Sequence, residues 1–357
     1  MKTLILLSVF LFCNAQLSYG QWSNTNLSVP RSSMGSTTLG NKAYFAGGHN
    51  GSIILSSVET YDVKTGLWEI IGNLNTARQV ITGVSCGSKV FFAGGVSSNM
   101  NTTYSTVDIY DTITRQWSVK QLSIPRFDLA AVSKGNKVLF AGGCLYDLTG
   151  YNVVDIYNTQ TDSWSTANLS IARGAMAYAV VGDLAIFAGG ILPGGALSNR
   201  VDIYNFVTDT WSTATLSQAR CWASATTMGN KVLIAGGMKS FPNVPSDRVD
   251  IYDASNGTWS TVSLFSARAG ISSGTVNGKA YFAGGSNVAN GGIPYDYSDV
   301  IDIYDGNTWS KDVLPQPRCS AGLVLGDKFL IVGGKNNTGV LSSVAIFKDP
   351  TPVFRTF

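Results

Sequence analysis

The chain has 357 residues, of which 13% are charged, 45% hydrophobic and 39 are glycine, with a net charge of +3. No run of like charge stands behind that balance, so neither nucleic acid nor an anionic membrane surface is implied as a partner. A chain this long exceeds a usual single core, unless the fold grows by repetition.

Residues 1–20 carry the features of an export leader. Lys2 supplies the positive start, Leu4 to Phe12 a nine-residue apolar core, and Ser18-Tyr19-Gly20 the small residues at the cleavage positions. That core is shorter than the roughly 20 apolar residues of a membrane span, and no later segment is long and apolar enough to serve. The sequence predicts a soluble, secreted, extracellular protein without a transmembrane segment, with a leader at 1–20, one domain over 21–348 and a tail at 349–357. Export gives meaning to the sequons at Asn26, Asn50, Asn101, Asn168, Asn256 and Asn336, which in a eukaryotic source are candidate N-glycosylation sites.

From residue 22 onward one unit recurs. A Gly-Gly pair stands at 47, 94, 142, 189, 236, 284 and 333, seven copies spaced 47 to 49 residues apart. In step with it run Arg31, Arg78, Arg126, Arg173, Arg220, Arg268 and Arg318. Tyr61, Tyr110, Tyr157, Tyr204, Tyr252, Tyr304 and Phe347 follow the same period, as do Trp22, Trp68, Trp117, Trp164, Trp211, Trp259 and Trp309. In the unit after Arg126 the predicted strands are Leu129 to Ser133, Lys137 to Ala141, Val153 to Tyr157, and a fourth carrying Trp164. Gly-Asn-Lys separates the first two, and an Asn/Asp-x-x-Thr turn the last two. Apolar residues at helical spacing are missing throughout. Four strands at this period make a propeller blade. Gly-Gly suits a strand end near a crowded axis, where positive φ or close backbone approach is needed. Tyr and Trp suit the wide outer part of the wedge.

Four hydrophobics, Gly-Gly, then Tyr and Trp at fixed spacing resemble the kelch repeat, over residues 22 to 348. The resemblance implies an all-β, seven-bladed β-propeller of four-stranded antiparallel blades; it does not imply one activity. Trp22 lies nine residues before Arg31, as Trp117 does before Arg126, so Gln21 to Asn26 is expected to complete the last blade and close the ring. Val353 to Phe357 is a rival for that strand, since Phe354 follows Phe347 by the interval that separates Trp164 from Tyr157.

Disulfides are not expected. Cys13 leaves with the leader, and Cys221 and Cys319 occupy equivalent places with a whole blade between them, against a Cα limit of roughly 7 Å. Cys86 ends a first strand, on the face opposite Cys144.

A residue present in every blade serves the blade, whereas a ligand site on a ring made of one chain should break the symmetry. The seven arginines therefore read as structural, pairing with Glu59, Asp108, Asp155, Asp202, Asp250 or Asp302 of the third strands. A second reading gives Arg126, Arg173 and Arg220 a ligand-binding role, because guanidiniums at a channel mouth would attract a carboxylate or acidic sugar. Two residues after each Arg the set is Ser33, Val80, Asp128, Ala175, Trp222, Gly270 and Ser320. Asp128 and Trp222 break its pattern, and equal register gives them one facing. Two readings stand: a pocket with Trp222 as stacking surface and Asp128 as acceptor, or a channel plugged by Trp222 with a local Asp–Arg pair. The loops after Gly-Gly vary most and share a face with the arginines, which is where binding usually lives.

No catalytic residue, cofactor or metal site is implied. His49 is the one histidine. Galactose oxidase has kelch-type blades, but its copper site needs two histidines and a Cys-linked tyrosine. Nucleophile and phosphate-loop motifs are missing. The leading expectation is a monomeric, non-catalytic binding module presenting its loop face to a protein or glycan. The alternative is a metal-free mutarotase or epimerase acting on an acidic sugar, as the resemblance to exported bacterial kelch propellers implies. The leader argues against the intracellular ubiquitin-ligase adaptors that share the repeat.

Overall fold

A computed structural model describes residues 21–240, 244–288 and 295–349. The leader over 1–20 and the rival closing strand at 353–357 lie outside the described residues. Every described regular element is a strand, and no helix is long and apolar enough to cross a membrane.

The strands form seven antiparallel blades of four strands each, the seventh with a short extra strand, Gly339–Val340, paired to its second. Blade three is representative: Ala130–Lys134, Lys137–Ala141, Val153–Asn158 and Ser163–Asn168 pair in chain order. The first strand begins one residue later than its sequence suggests. Strand two is buried along its length except at the leading lysine, because its two faces meet the neighbouring blades. The tight turn into it rests on Gly135 at φ 61°. The turn into strand four is an Asx turn, with Asn158 Oδ1 accepting the N–H groups of Gln160 at 2.9 Å and Thr161 at 3.2 Å.

The core lies between blades. Phe91 of blade two packs with Phe140 and Tyr157 of blade three. Farther out, each Tyr–Trp pair of strands three and four stacks at 4.9–5.1 Å between ring centres, including Phe347 with Trp22. That last pair closes the ring: Gln21–Asn26 is antiparallel to Ser343–Lys348 with Trp22 opposite Phe347, the register of every other blade.

The Gly-Gly pair and the arginine are two halves of one joint. The first glycine of blade three, Gly142, has φ 60°, and a Cβ there would lie 2.4 Å from the Arg173 carbonyl of blade four. Gly143 N–H donates to that same carbonyl at 3.0 Å. The pattern runs round the ring, ending where Gly334 N–H reaches the Arg31 carbonyl at 2.9 Å. The guanidinium returns into its own blade: Arg126 Nε donates to the Gly142 carbonyl at 2.6 Å, and Nη2 meets Asp155 at 2.7 Å. Asp155 also accepts the Ser123 N–H at 3.1 Å, which ties the linker between blades to the blade.

Three features were not foreseen. The loops after Gly-Gly in blades five and six carry short paired strands, Met238–Ser240 with Val244–Pro245 and Ser286–Val288 with Tyr295–Tyr297. In blade seven the second strand runs on through Gly-Gly as Lys328–Asn336.

Candidate site at the channel mouth

The residue after each Arg pairs with the residue after Gly-Gly in blades one to six, as in Ser32 with His49 and Cys221 with Met238. This places the variable loops beside the first-strand entries on one face, around the axis. One residue further along, the chain turns left-handed. Ser33, Val80, Asp128, Ala175 and Trp222 have φ between 48° and 55°, and Gly270 has 64°. A left-handed residue other than glycine costs about 1 kcal/mol or more, so the ring of blades holds these in place. Part of the hold is direct: Ala175 N–H donates to the Asp128 carbonyl at 2.9 Å and Trp222 N–H to the Ala175 carbonyl at 3.0 Å.

These six positions and their counterpart in blade seven, Ser320, line one cavity of about 780 Å³ at the mouth. Asp128 and Trp222 come from blades three and five, yet they meet there, with the Trp222 indole N–H hydrogen-bonded to the Asp128 carboxylate. Burial pushes the Asp128 carboxyl up to about 6, and the indole bond opposes that shift. The charge of Asp128 in turn helps raise the thiols of Cys144 and Cys221, each pushed to about 12 mainly by burial. Trp222 remains 39% exposed, its ring part of the cavity wall.

Tyr178 belongs to the site and was missed in the sequence. It stands five residues after Arg173, where the other blades have Ser36, Gly83, Ala131, Ala225, Ser273 and Leu323. The rule that singled out Asp128, applied at this register, would have found it. Its hydroxyl lies 3.5 Å from Thr82 Oγ1, and its ring borders both the mouth and a second chamber of about 360 Å³ further down the channel.

Arg126, Arg173 and Arg220 do not reach the cavity. All three are 0% exposed and pair with Asp155, Asp202 and Asp250 at 2.6–2.7 Å, which corrects the ligand-binding role considered for them. Burial lowers each guanidinium pKa while the paired carboxylate pulls it back. Glu59, Asp108 and Asp302 likewise hold Arg31, Arg78 and Arg268. His49 sits in its loop, its Nδ1 accepting the Gly51 N–H at 3.2 Å. The six sequon asparagines fall in loops or at strand ends, with Asn26, Asn101, Asn168 and Asn256 exposed. Cys86, Cys144, Cys221 and Cys319 are free thiols. Among the described residues no group of three or more His, Cys, Asp or Glu is placed to hold a metal ion.

Fold and mouth together define a seven-bladed propeller with a recessed cavity under a rim of variable loops. Residues 80–285 match the family described as the KLHDC2/KLHL20/DRC7 Kelch-repeats domain, and residues 30–75 match the Kelch motif. The chain belongs to the kelch-repeat family. It is similar to Kelch-like protein 26 of Danio rerio, 32% identical over 29% of this chain and 17% of that protein. It is also similar to an F-box/kelch-repeat protein of Arabidopsis thaliana, 37% identical over 21% of this chain and 17% of that one. The chain thus spans under a fifth of the length of these relatives. A solved structure titled "Structure of YjhT" has the same fold, with a TM-score of 0.60 at 18% identity, covering 91% of this chain and 99% of that one. The kelch propeller is a protein-binding kind of fold.

Proposed function

We propose that the protein is an exported, non-catalytic binding module whose loop face takes a protein or glycan ligand into the channel mouth. One observation carries this reading. Seven equivalent positions converge on a single cavity, and the two that depart from small or aliphatic side chains, Asp128 and Trp222, are bonded to each other at its wall. A symmetric scaffold has no use for that pair, and recessed cavities with few placed polar groups are where ligands bind. The leader over residues 1–20 supports export. An array of glycans and extracellular proteins, probed with wild type and Trp222→Ala, tests the proposal. The expected result is a set of ligands lost in the variant, and ligands retained at full strength would overturn it.

A second reading keeps one supporting observation. A carboxyl whose pKa sits near 6 beside a ligand cavity suits proton transfer, which is what interconversion of sugar anomers requires. The sequestered arginines weigh against an acidic sugar, for whose carboxylate the cavity wall offers Lys335 but also Asp128. NMR exchange measurements of anomer interconversion, with Asp128→Asn as control, decide it: no acceleration by wild type removes this reading.

A further inference from the structure

We propose that the channel mouth receives a cation, the guanidinium or ammonium of a basic side chain on a protein partner, seated on the Trp222 indole with Asp128 as its counter-ion. This rests on the reading of the mouth as the ligand site and adds what the ligand must carry.

The argument begins with how the charges are spent. Six channel-side arginines are consumed by third-strand acids, and Arg318 by Ser343 and Gln316. Asp128 is held instead by a neutral donor, the Trp222 indole. A carboxylate touching a cation is drawn below its usual pKa, whereas this one is pushed above it. Its negative charge reaches Tyr178 on the cavity wall and the buried thiols of Cys144 and Cys221. Beside Asp128 an entering cation would relieve that field and an entering anion would add to it, whereas Lys335 of blade seven, also on the cavity wall, favours the reverse near itself.

The wall adds two further constraints. The bond from indole to carboxylate fixes the Trp222 ring with Asp128 at its edge, so a cation over the ring face lies within reach of both. Met34, Ile81, Leu129, Met176 and Met238 form an apolar part of the wall, beside hydroxyls such as Ser36 and Thr82 and the cation Lys335. That apolar wall fits the methylene stem of an arginine or lysine, which buries its carbons and leaves its head for a charged partner.

The test follows the Trp222 indole N–H by NMR, assigned by its loss in Trp222→Phe. Wild type is titrated with methylguanidinium chloride, the peptide Gly-Arg-Gly and methyl β-glucoside, at matched sodium chloride. The expected result is a saturable shift with methylguanidinium, at least tenfold tighter binding of the peptide, and at least tenfold weaker binding of both to Asp128→Asn, whose amide keeps the shape. Methylguanidinium affinity unchanged in Asp128→Asn overturns the counter-ion role. A peptide no tighter than methylguanidinium overturns the protein source of the cation. A saturable shift with the glucoside but not with methylguanidinium overturns the inference while leaving the mouth as the ligand site. If array ligands bind with equal strength to wild type, Asp128→Asn and Trp222→Phe, the site and the inference both fall.

Discussion

Arg318 occupies the place that in six blades belongs to an ion-paired guanidinium, yet its partner position holds Ala345. In those six blades the acid also accepts a backbone N–H three residues before the Arg, from Ser28, Asn75, Ser123, Ser170, Ser217 and Phe265. In blade seven that residue is Pro315, which has no N–H to give. Acid and donor are thus lost together, and Arg318 turns to Ser343 and Gln316, with burial alone bringing its pKa down to about 10. The two kinds of arginine should answer truncation differently. Arg126→Met strands Asp155 as a buried charge and is expected to cost about 3–5 kcal/mol. Arg318→Met strands no ion, and its loss in urea unfolding should be clearly smaller; equal losses would refute the distinction. Asp128 makes a second test at this scale. Below the unfolded carboxyl value of about 3.9, both states hold the proton and Asp128 has no effect. Between that value and about 6 the folded state keeps a proton that the unfolded state has shed, so stability falls as pH rises, and the full penalty stands above 6. Replacement by Asn should therefore raise the Tm by about 2 °C or more at pH 8 and leave it unchanged near pH 4. A gain that is the same at both pH values would mean the effect is not ionisation. Much of this was legible in the sequence, because the arginine–acid spacing repeats with the blade. The bond between Asp128 and Trp222 was not, since it crosses an intervening blade.

The strand and its turns form the next scale. The second strand was legible as a short continuous apolar run, because burial on both faces leaves no polar position between its ends. The hairpins in the loops of blades five and six were not, because Met238–Ser240 and Val244–Pro245 carry neither alternation nor a two-residue turn signal. Two glycines of blade three separate conformational need from packing need. Gly135 has φ 61° with open space around a Cβ, whereas Gly142 has φ 60° with the Arg173 carbonyl 2.4 Å from one. Gly135→Ala should cost about 1 kcal/mol from the left-handed backbone alone. Gly142→Ala adds a clash with the next blade, and calorimetry should show a Tm loss several times larger. Comparable losses would mean that the joint between blades yields easily.

At the scale of the ring, blade seven departs from its neighbours more than once. Ser320 lies within a strand, at a break in its register with the next one, where six blades turn left-handed, and the fourth strand comes from the far end of the described chain. Closure was legible because Trp22 keeps the interval to Arg31 that Trp117 keeps to Arg126; the rival at 353–357 cannot be compared, since it falls outside the described residues. Removal of residues 21–27 should lower the Tm sharply, because it uncovers the third strand of the last blade and strips Trp22 from Phe347. A Tm that stays put would hand the role to the later segment.

The pairing of Gln21 with Lys348 has a practical side. Segments joined ahead of the one or behind the other would leave the disc side by side, on its perimeter and remote from the axial opening. Anchoring the molecule to a bead or chip through either terminus should thus leave the opening unobstructed, and a cargo carried at both would hang from a single point.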